Sequence, residues 1–213
     1  MKEFKNKKIC VCLDMDGTLT EWRNIKLASS ENVNADELAD ELMRVLLTPN
    51  YYYSLTPNEI FLLAIKELIE EYSDIEFYIL SCYPGTINDS PYKEKNEWCD
   101  KYIPEIPAYR RIFIPYGKDK SDYISNGVKE DDYLIDDKTS NLVEFERAGG
   151  NGIKVLNGCN HSNGSWKGNR ISIFESKEEI KKALLNIIKE KELVMHDKPK
   201  QIDNDFSYED FCR

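Results

Sequence analysis

Short apolar runs alternate with helical patterns along most of the chain, and this alternation restricts the fold more than any other feature. The strand candidates are mostly continuous apolar stretches, which is typical of parallel strands buried on both faces. Five segments fit this description: Ile9–Leu13, Ile75–Leu80, Arg111–Pro115, Tyr133–Ile135 and Ile153–Leu156. Strands that alternate with helices predict an α/β fold, a doubly wound parallel β-sheet with helices on both faces.

Helix-start signals lie between these strands. In TPNEI, Thr56 is predicted to be the N-cap and Pro57 the first helical residue of a helix that extends to about residue 72. Ser90 and Ser176 begin two further helices in a similar way. Segment 138–148 is predicted to be helical and to end at a Gly-Gly pair, which is a C-terminal capping signal.

One segment interrupts this alternation of strands and helices. About 60 residues separate the first strand from the second, where a single crossover needs far fewer. Because insertions at the C-terminal end of a central strand tend to cover the site, we predict a small helical cap at 20–56, with a helix at Ala35–Leu47. The alternative is a solvated decoration that packs on the domain. Residues 1–19 and 57–194 then form the core domain, and 195–213 is a polar tail.

Composition excludes several classes of protein. The net charge is −10, whereas proteins that bind nucleic acid usually present a basic surface. No apolar run approaches the roughly 20 residues needed to cross a bilayer, and the N-terminus lacks the features of a signal peptide. Six cysteines without CxxC spacing are expected to be reduced thiols. We therefore expect a cytoplasmic protein without nucleic-acid or membrane partners, either a monomer or a homodimer.

The first strand runs directly into two acidic residues, in the stretch KICVCLDMDGTLTEW. Asp14 and Asp16 are two residues apart, so at an extended strand end their side chains point to the same side. Gly17 then allows a sharp turn and a close approach of the backbone to a ligand. Two carboxylates this close repel each other unless a cation or a shared proton neutralises them. Since Mg²⁺ prefers oxygen ligands, it is the cation that we expect here.

Three other strand ends carry reactive groups. Ser81 follows the second predicted strand, Lys118 and Lys120 follow the third, and Asp136 and Asp137 end the fourth. Ligands of open α/β sheets bind outside the carboxyl ends of the strands. We therefore expect these groups at one rim, where they suit phosphoryl transfer.

Each group also has a simpler interpretation. The DxDG pattern could open a calcium loop of the EF-hand kind, but its twelfth position is Ile25 rather than Glu, and a strand precedes it. Ser81 alone is more often a turn hydroxyl, a lysine near a helix start is usually solvated, and an Asp-Asp pair is more often an N-cap. Their joint order, each after an apolar run, favours the functional interpretation.

With these residues in view, segment 8–190 resembles the phosphohydrolases of the haloacid dehalogenase (HAD) superfamily. DMDGTLT matches the first motif of that superfamily, and Ser81, the lysine region and the Asp136–Asp137 pair match the next three in order. YKEKNEWCDKYIP and YLIDDKTSNLVEFERAGGNGIKVLNG most resemble the 5'(3')-deoxyribonucleotidases and their bacterial and phage relatives. Lys120 is preferred to Lys118 because DKS resembles the Asp-Lys-Thr of that family. Ser81 is followed by Cys82, where the family more often has proline.

This resemblance implies a mechanism and a set of roles. Asp14 is the nucleophile that forms an aspartyl-phosphate, and Asp16 is the general acid and base. Lys120 orients Asp14 and screens its charge. The Mg²⁺ ligands are assigned as Asp14, Asp16 through its carbonyl, and one or both of the fourth-motif aspartates, Asp137 and Asp136. Phosphate contacts are assigned to four residues near these groups: Gly17, Thr18, Ser81 and Cys82.

Substrate choice is expected to depend on residues beyond these motifs. Tyr51, Tyr52 and Tyr53 could stack on a base, and Tyr53 is assigned to the site, although packing between cap and core is as good an interpretation. Of Lys93 and Lys95, which begin the next helix, Lys93 is assigned to the phosphate; solvation is the alternative.

The resulting prediction is a Mg²⁺-dependent phosphatase of the 5'-nucleotidase type, acting on nucleoside monophosphates. A phosphatase of sugar phosphates or other small metabolites is the nearest alternative. A non-catalytic protein of the same fold that binds a metal or a partner is an alternative of another class.

Overall fold

A computed structural model describes residues 8–21, 43–85, 90–158 and 166–196, with side chains described as far as residue 189. Within these ranges, six strands form a single sheet in which every pairing is parallel, in the order β3-β2-β1-β4-β5-β6. The strands are β1 Ile9–Leu13, β2 Ile75–Tyr83, β3 Arg111–Pro115, β4 Asp132–Asp136, β5 Asn151–Leu156 and β6 Asn169–Ser172. The predicted doubly wound parallel sheet is therefore confirmed, and β6, a short polar strand, is an addition to it.

Four helices connect or follow these strands in the described ranges. They are α1 Glu59–Glu71, α2 Ser90–Tyr102, α3 Thr139–Arg147 and α4 Lys177–His196. The start of α4 is a capping box, since the Ser176 hydroxyl accepts from the Glu179 N–H and the Glu179 carboxylate accepts from the Ser176 N–H. After α3, Gly149 adopts a φ of 108°, as expected of a glycine that ends a helix.

The predicted start of α1 at Thr56 is wrong, because Asn58 is the N-cap and Glu59 the first helical residue. The backbone just before α1 is instead bonded to the loop after β1. The Thr56 carbonyl accepts from the Glu21 N–H, and the Asn58 N–H donates to the Leu19 carbonyl. Tertiary pairing of the chain therefore takes precedence over the local capping signal.

Both faces of the sheet are buried. On β1, Val11 and Leu13 face a large cluster that includes residues of α1, α2 and α4. Cys12 faces the opposite cluster, where Leu142 and Phe145 of α3 pack. Mostly apolar strands fit this arrangement, because helices pack on both faces of the sheet.

The strand order positions the site. The chain proceeds outward from β1 to β3 on one side, then returns to β4 beside β1 and proceeds outward to β6 on the other. The neighbouring strands β1 and β4 thus form the switch point of the sheet, where ligands of open α/β folds bind at the carboxyl ends.

The predicted cap is described only in part. Residues 22–42 lie outside the described residues, and so does most of the tail, 197–213. Residues 43–46 form one helical turn, and turns follow to residue 54. Among the helices that the structure describes, none combines the length and the apolar character that a bilayer-spanning helix needs.

Candidate active site

The ends of β1 and β4 bring three aspartates together. Asp14 follows β1 directly, and its N–H donates to the Ile135 carbonyl of β4 at 2.9 Å. Asp136 is the last residue of β4, and Asp137 follows it. One carboxylate oxygen from each of the three lies within 4.8 Å of the other two. Residues 122 positions apart in sequence thus meet because parallel neighbours end at the same edge.

Lys120 crosses this cluster from the third strand end. Its ammonium donates to Asp14 Oδ1 and to Asp136 Oδ2, both at 2.6 Å, and its side chain is buried. Asp136 also accepts from the Lys138 N–H at 2.7 Å and from Asn141 Nδ2 at 2.8 Å. Lys120 rather than Lys118 therefore contacts the first aspartate, and the carboxylate of Asp136 is held on both oxygens.

Burial dominates the electrostatics of this cluster. It raises the pKa of Asp14 to about 7; the Lys120 ammonium opposes this shift, and the Asp136 carboxylate adds to it. Burial disfavours the charge on Lys120, but Asp136 and Asp14 together raise its pKa well above its ordinary value. The lysine therefore stays charged, whereas Asp14 needs a further cation to be fully ionised at neutral pH.

The donor set fits a hard divalent cation. Three carboxylates converge, two of them buried, and such oxygen ligands are those that Mg²⁺ prefers. A cation at this position would relieve the mutual repulsion of the aspartates and the burial cost of Asp14.

Asp16 is held by a different lysine. Lys95 of α2 is fully buried and donates to Asp16 Oδ2 at 2.6 Å and to Ser81 Oγ at 3.0 Å. The other oxygen, Asp16 Oδ1, is buried and has no hydrogen-bond partner within the described ranges. One oxygen of Asp16 is thus anchored, while the second is not engaged by the described protein groups.

Tyr52 covers this second ion pair. The Lys95 ammonium lies 4.6 Å from the centroid of the Tyr52 ring, which is close enough for a cation–π interaction. The neighbouring carboxylate of Glu94 accepts from the Asn50 N–H at 2.7 Å and the Tyr52 N–H at 3.0 Å. Helix α2 therefore fixes both Asp16 and the segment that carries Tyr52.

Hydrogen bonds from Asn58 hold the loop that carries Asp16. Gly17 has a φ of 78°, a left-handed conformation that glycine adopts readily. Asn58 Nδ2 donates to the Thr18 carbonyl at 2.7 Å and to the Thr20 carbonyl at 3.0 Å. The Thr18 N–H makes a long turn hydrogen bond of 3.3 Å with the Met15 carbonyl. Its buried hydroxyl lacks a hydrogen-bond partner among the residues described.

The predicted phosphate contacts do not all converge. Ser81 and Cys82 lie inside β2, which runs three residues further than predicted, and the Cys82 side chain lines the cleft. The Lys93 side chain is 78% exposed and its ammonium lies 3.7 Å from Glu97. Tyr53 is 40% exposed, with the Lys101 ammonium 5.3 Å from its ring. Lys93 and Tyr53, the residues assigned from the sequence, thus lie away from the cluster. Their neighbours Lys95 and Tyr52 lie beside Asp16 instead.

The helical periodicity of α2 is a sequence signal that could have identified Lys95 instead of Lys93. In SPYKEKNEWCDKY the apolar residues Trp98 and Cys99 are buried. Lys95 lies three and four residues before them and so shares their face, which Lys93 does not. Asn58 and Asn157 carry no comparable signal, because their partners come from distant parts of the chain.

These groups face a cleft of about 450 Å³. Asp14, Asp16, Leu46 and Tyr52 line it. Its rim includes exposed side chains: Tyr116, Lys118 and Lys138. A second cleft of about 500 Å³ lies beside Pro57 and Phe174, and its described lining includes none of the clustered aspartates. Of these two clefts, the one at the strand ends is therefore the candidate active site, because carboxylates of the cluster and Lys120 line it.

Comparison with solved structures identifies the fold. The chain is similar to a hydrolase of the haloacid dehalogenase-like family from Streptococcus pneumoniae, with a TM-score of 0.55 and 11% identity, over 82% of this chain and 97% of that one. It is also similar to D,D-heptose 1,7-bisphosphate phosphatase from Burkholderia thailandensis, with a TM-score of 0.51 and 12% identity, over 84% and 99%. The chain thus has the fold of the HAD-like hydrolases.

No protein-family model matches the sequence, and no curated protein does.

Proposed function

We propose that this protein is a Mg²⁺-dependent phosphomonoester hydrolase that acts through an aspartyl-phosphate on Asp14. The observation that supports this most is the buried carboxylate of Asp14, held at 2.6 Å by Lys120 and grouped with Asp136 and Asp137 within 4.8 Å. Asp16, two residues further on, supplies a second carboxylate, which pairs with Lys95 rather than with Lys120. A nucleophile and a proton carrier with separate partners are what phosphate ester hydrolysis requires.

In the first step, an oxygen of Asp14 attacks phosphorus and the bond from phosphorus to the ester oxygen breaks. The leaving oxygen takes a proton from Asp16. In the second step, Asp16 takes a proton from water while the water oxygen attacks phosphorus and the bond from phosphorus to Asp14 breaks, which restores the acid form of Asp16 and releases inorganic phosphate. Lys95 anchors Oδ2 of Asp16, which leaves Oδ1 as the atom that carries the proton.

The metal site is assigned to Asp14, Asp137 and Asp136, with the backbone carbonyl of Asp16 as a further oxygen ligand. Bound Mg²⁺ would supply positive charge to the phosphoryl oxygens and to the nucleophile. Asp136 accepts hydrogen bonds from Lys120, Asn141 and the Lys138 N–H. Asp137 is therefore preferred as the direct carboxylate ligand from the fourth strand end.

The substrate that we favour is a nucleoside monophosphate, in the manner of the 5'(3')-deoxyribonucleotidases. Tyr52 and Tyr116 supply aromatic surface beside the reacting groups, and aromatic rings stack on nucleobases. Residues 20–56 are proposed as the cap that selects the leaving group, and Leu46 and Tyr52 of this segment line the cleft. The proposed partner is thus a small metabolite, in a cytoplasmic setting.

A panel of phosphate esters tests this function. With Mg²⁺ present, we expect release of inorganic phosphate from nucleoside monophosphates, with a preference for dUMP or dTMP over sugar phosphates. A preference for sugar phosphates would replace the nucleotidase by a metabolite phosphatase. No hydrolysis of any ester, p-nitrophenyl phosphate included, would favour the non-catalytic alternative.

The nucleophile is tested by Asp14→Asn, which keeps the size of the side chain and removes its charge. We expect a folded protein whose turnover falls by at least about 10⁴-fold, since the covalent step is lost. Mass spectrometry of the quenched wild-type reaction should show one phosphoryl group on the peptide that holds Asp14. Retained Mg²⁺-dependent turnover in the variant would contradict the assignment.

A further inference from the structure

Asn157 lies just beyond β5, at the same edge of the sheet as the clustered aspartates, although β5 is separated from β1 by β4 in the strand order. Its side chain is 9% exposed. Its Nδ2 donates to the Gly17 carbonyl at 2.8 Å and to Asp137 Oδ2 at 2.9 Å. One uncharged side chain thus connects the loop after β1 with an aspartate of the metal cluster.

The direction of this amide is determined by chemistry. The Gly17 carbonyl and the Asp137 carboxylate can only accept hydrogen bonds. A flipped amide would place Oδ1 of Asn157 against two oxygens in a buried site, which is repulsive. Nδ2 must therefore face both partners, and both of its protons are used.

Asn157 is uncharged, which distinguishes it from Lys120. Lys120 contacts Asp14 and Asp136 with a full positive charge. Asn157 restricts the carboxylate of Asp137 with a neutral donor, so it orients that carboxylate without cancelling its charge. This is a favourable arrangement for a carboxylate that has to attract a cation, because outer donors set the direction of metal ligands.

We propose that Asn157 is a positioning residue of the metal site: it holds the Asp137 carboxylate in the orientation that binds the divalent cation, relative to the loop that carries Asp14 and Asp16. This inference rests on the proposed function, since it concerns the same metal site. It adds a fifth strand end to a site that the motifs assign to four.

The chain offers a matched control. Asn58 is also buried, and its Nδ2 also donates to two carbonyls of the loop after β1, those of Thr18 and Thr20. It makes no hydrogen bond to a carboxylate of the cluster in the described structure. Asn58→Ala therefore loosens the same loop and leaves the orientation of Asp137 to Asn157.

The test is calorimetric titration of the metal-free protein with Mg²⁺, for wild type, Asn157→Ala and Asn58→Ala. We expect Asn157→Ala to weaken Mg²⁺ binding by about 10–100-fold, the range typical of lost outer donors, and Asn58→Ala to change it by less than about 3-fold. Hydrolysis of p-nitrophenyl phosphate by Asn157→Ala should recover when Mg²⁺ is raised in proportion, which a general loss of structure would not allow. Asn157→Ser, which retains a short donor, serves if the alanine variant does not fold, and it should weaken binding in the same direction.

Unchanged Mg²⁺ affinity in the Asn157 variants, or equal weakening in Asn58→Ala, would overturn the inference and leave the proposed function intact. A wild-type protein that neither binds Mg²⁺ nor hydrolyses phosphate esters would overturn both. The two failures are distinguished by the wild-type titration and its hydrolysis assay.

Discussion

At the scale of single residues, Asp14 is subject to opposing influences. Burial and the neighbouring carboxylates favour its neutral form, whereas the ammonium of Lys120 favours the charged form. The balance raises its pKa to about 7 from an ordinary value of 3.8. If Asp14 is the nucleophile, as we propose, it depends on a bound cation to be charged at neutral pH, and its reactivity is linked to that cation.

This raised pKa predicts the pH dependence of stability in the metal-free protein. A carboxyl group whose native pKa is raised stabilises the folded state fully below the pKa of the unfolded chain and loses that contribution as the pH rises to the native pKa. Relative to Asp14→Asn, the free energy of unfolding of the wild type should therefore fall as the pH rises from about 4 to about 7. Between pH 5 and pH 8.5 the expected loss is about 3 kcal/mol.

Urea unfolding of both proteins in EDTA, from pH 5 to pH 8.5, measures this difference. The Asp14→Asn variant retains Lys120, Asp136 and Asp137, so their own titrations largely cancel in the comparison. Unfolding free energies that run parallel over this range would show that Asp14 keeps an ordinary pKa in the folded protein.

At the scale of elements, the two faces of α2 separate two lysines that are only two positions apart. Lys95 shares the buried face with Trp98 and Cys99, whereas Lys93 points to solvent and pairs with Glu97 on the next turn. The periodicity of the helix, rather than closeness in sequence, decides which ammonium reaches Asp16. The same face carries Glu94, which binds the backbone of the segment at 50–52.

This division predicts different effects for two identical substitutions on α2. Lys95→Met removes the anchor of Asp16 and should lower kcat/KM by about 10²-fold or more, because Asp16 is the proposed general acid and a mispositioned acid loses most of its effect. Lys93→Met should stay within about 2-fold of the wild type, since its salt bridge is on the surface.

Steady-state assays with p-nitrophenyl phosphate and a nucleoside monophosphate check both variants, with circular dichroism as a control for folding. The loss in Lys95→Met should be smaller for p-nitrophenyl phosphate, whose leaving group needs less help from an acid. Equal losses for the two esters would argue against a role through Asp16.

At the scale of the whole molecule, the acidic cluster exists only in the folded chain. Asp14 and Asp137 come from the ends of β1 and β4, and the lysine between them comes from the segment after β3. The unfolded chain separates these groups, so it has no comparable site. Binding of a cation is therefore coupled to folding.

We accordingly predict that Mg²⁺ stabilises the protein against unfolding. At a concentration of about 100 times its Kd, the gain should be about 2.7 kcal/mol, and chelation should abolish it. Thermal or urea unfolding with and without Mg²⁺ measures the gain, and Asp137→Asn, which lacks a ligand charge, should show less of it. Equal stability of the wild type in Mg²⁺ and in EDTA would exclude a site of this kind.

Much of the fold could be predicted because its signals are local. Ile9–Leu13 and Arg111–Pro115 are strands at the predicted bounds, and the capping box at Ser176 begins α4. Apolar runs and capping residues act over a few positions, so they can be read directly from the chain. Thr56 is the exception, since the backbone beside it pairs with residues 19–21 instead of starting a helix.

The sequence by itself determined the parallel α/β sheet, the strand that ends in Asp14 and Asp16, and the order of the groups that follow. Only the tertiary structure decided which carboxylate Lys95 reaches, that Tyr52 rather than Tyr53 lines the cleft, and that Asn157 binds Asp137. The physical reason is the range of the interactions. Apolar periodicity is set by neighbours along the chain, whereas a hydrogen bond between Asn157 and Gly17 depends on how β5 and β1 are placed in one sheet.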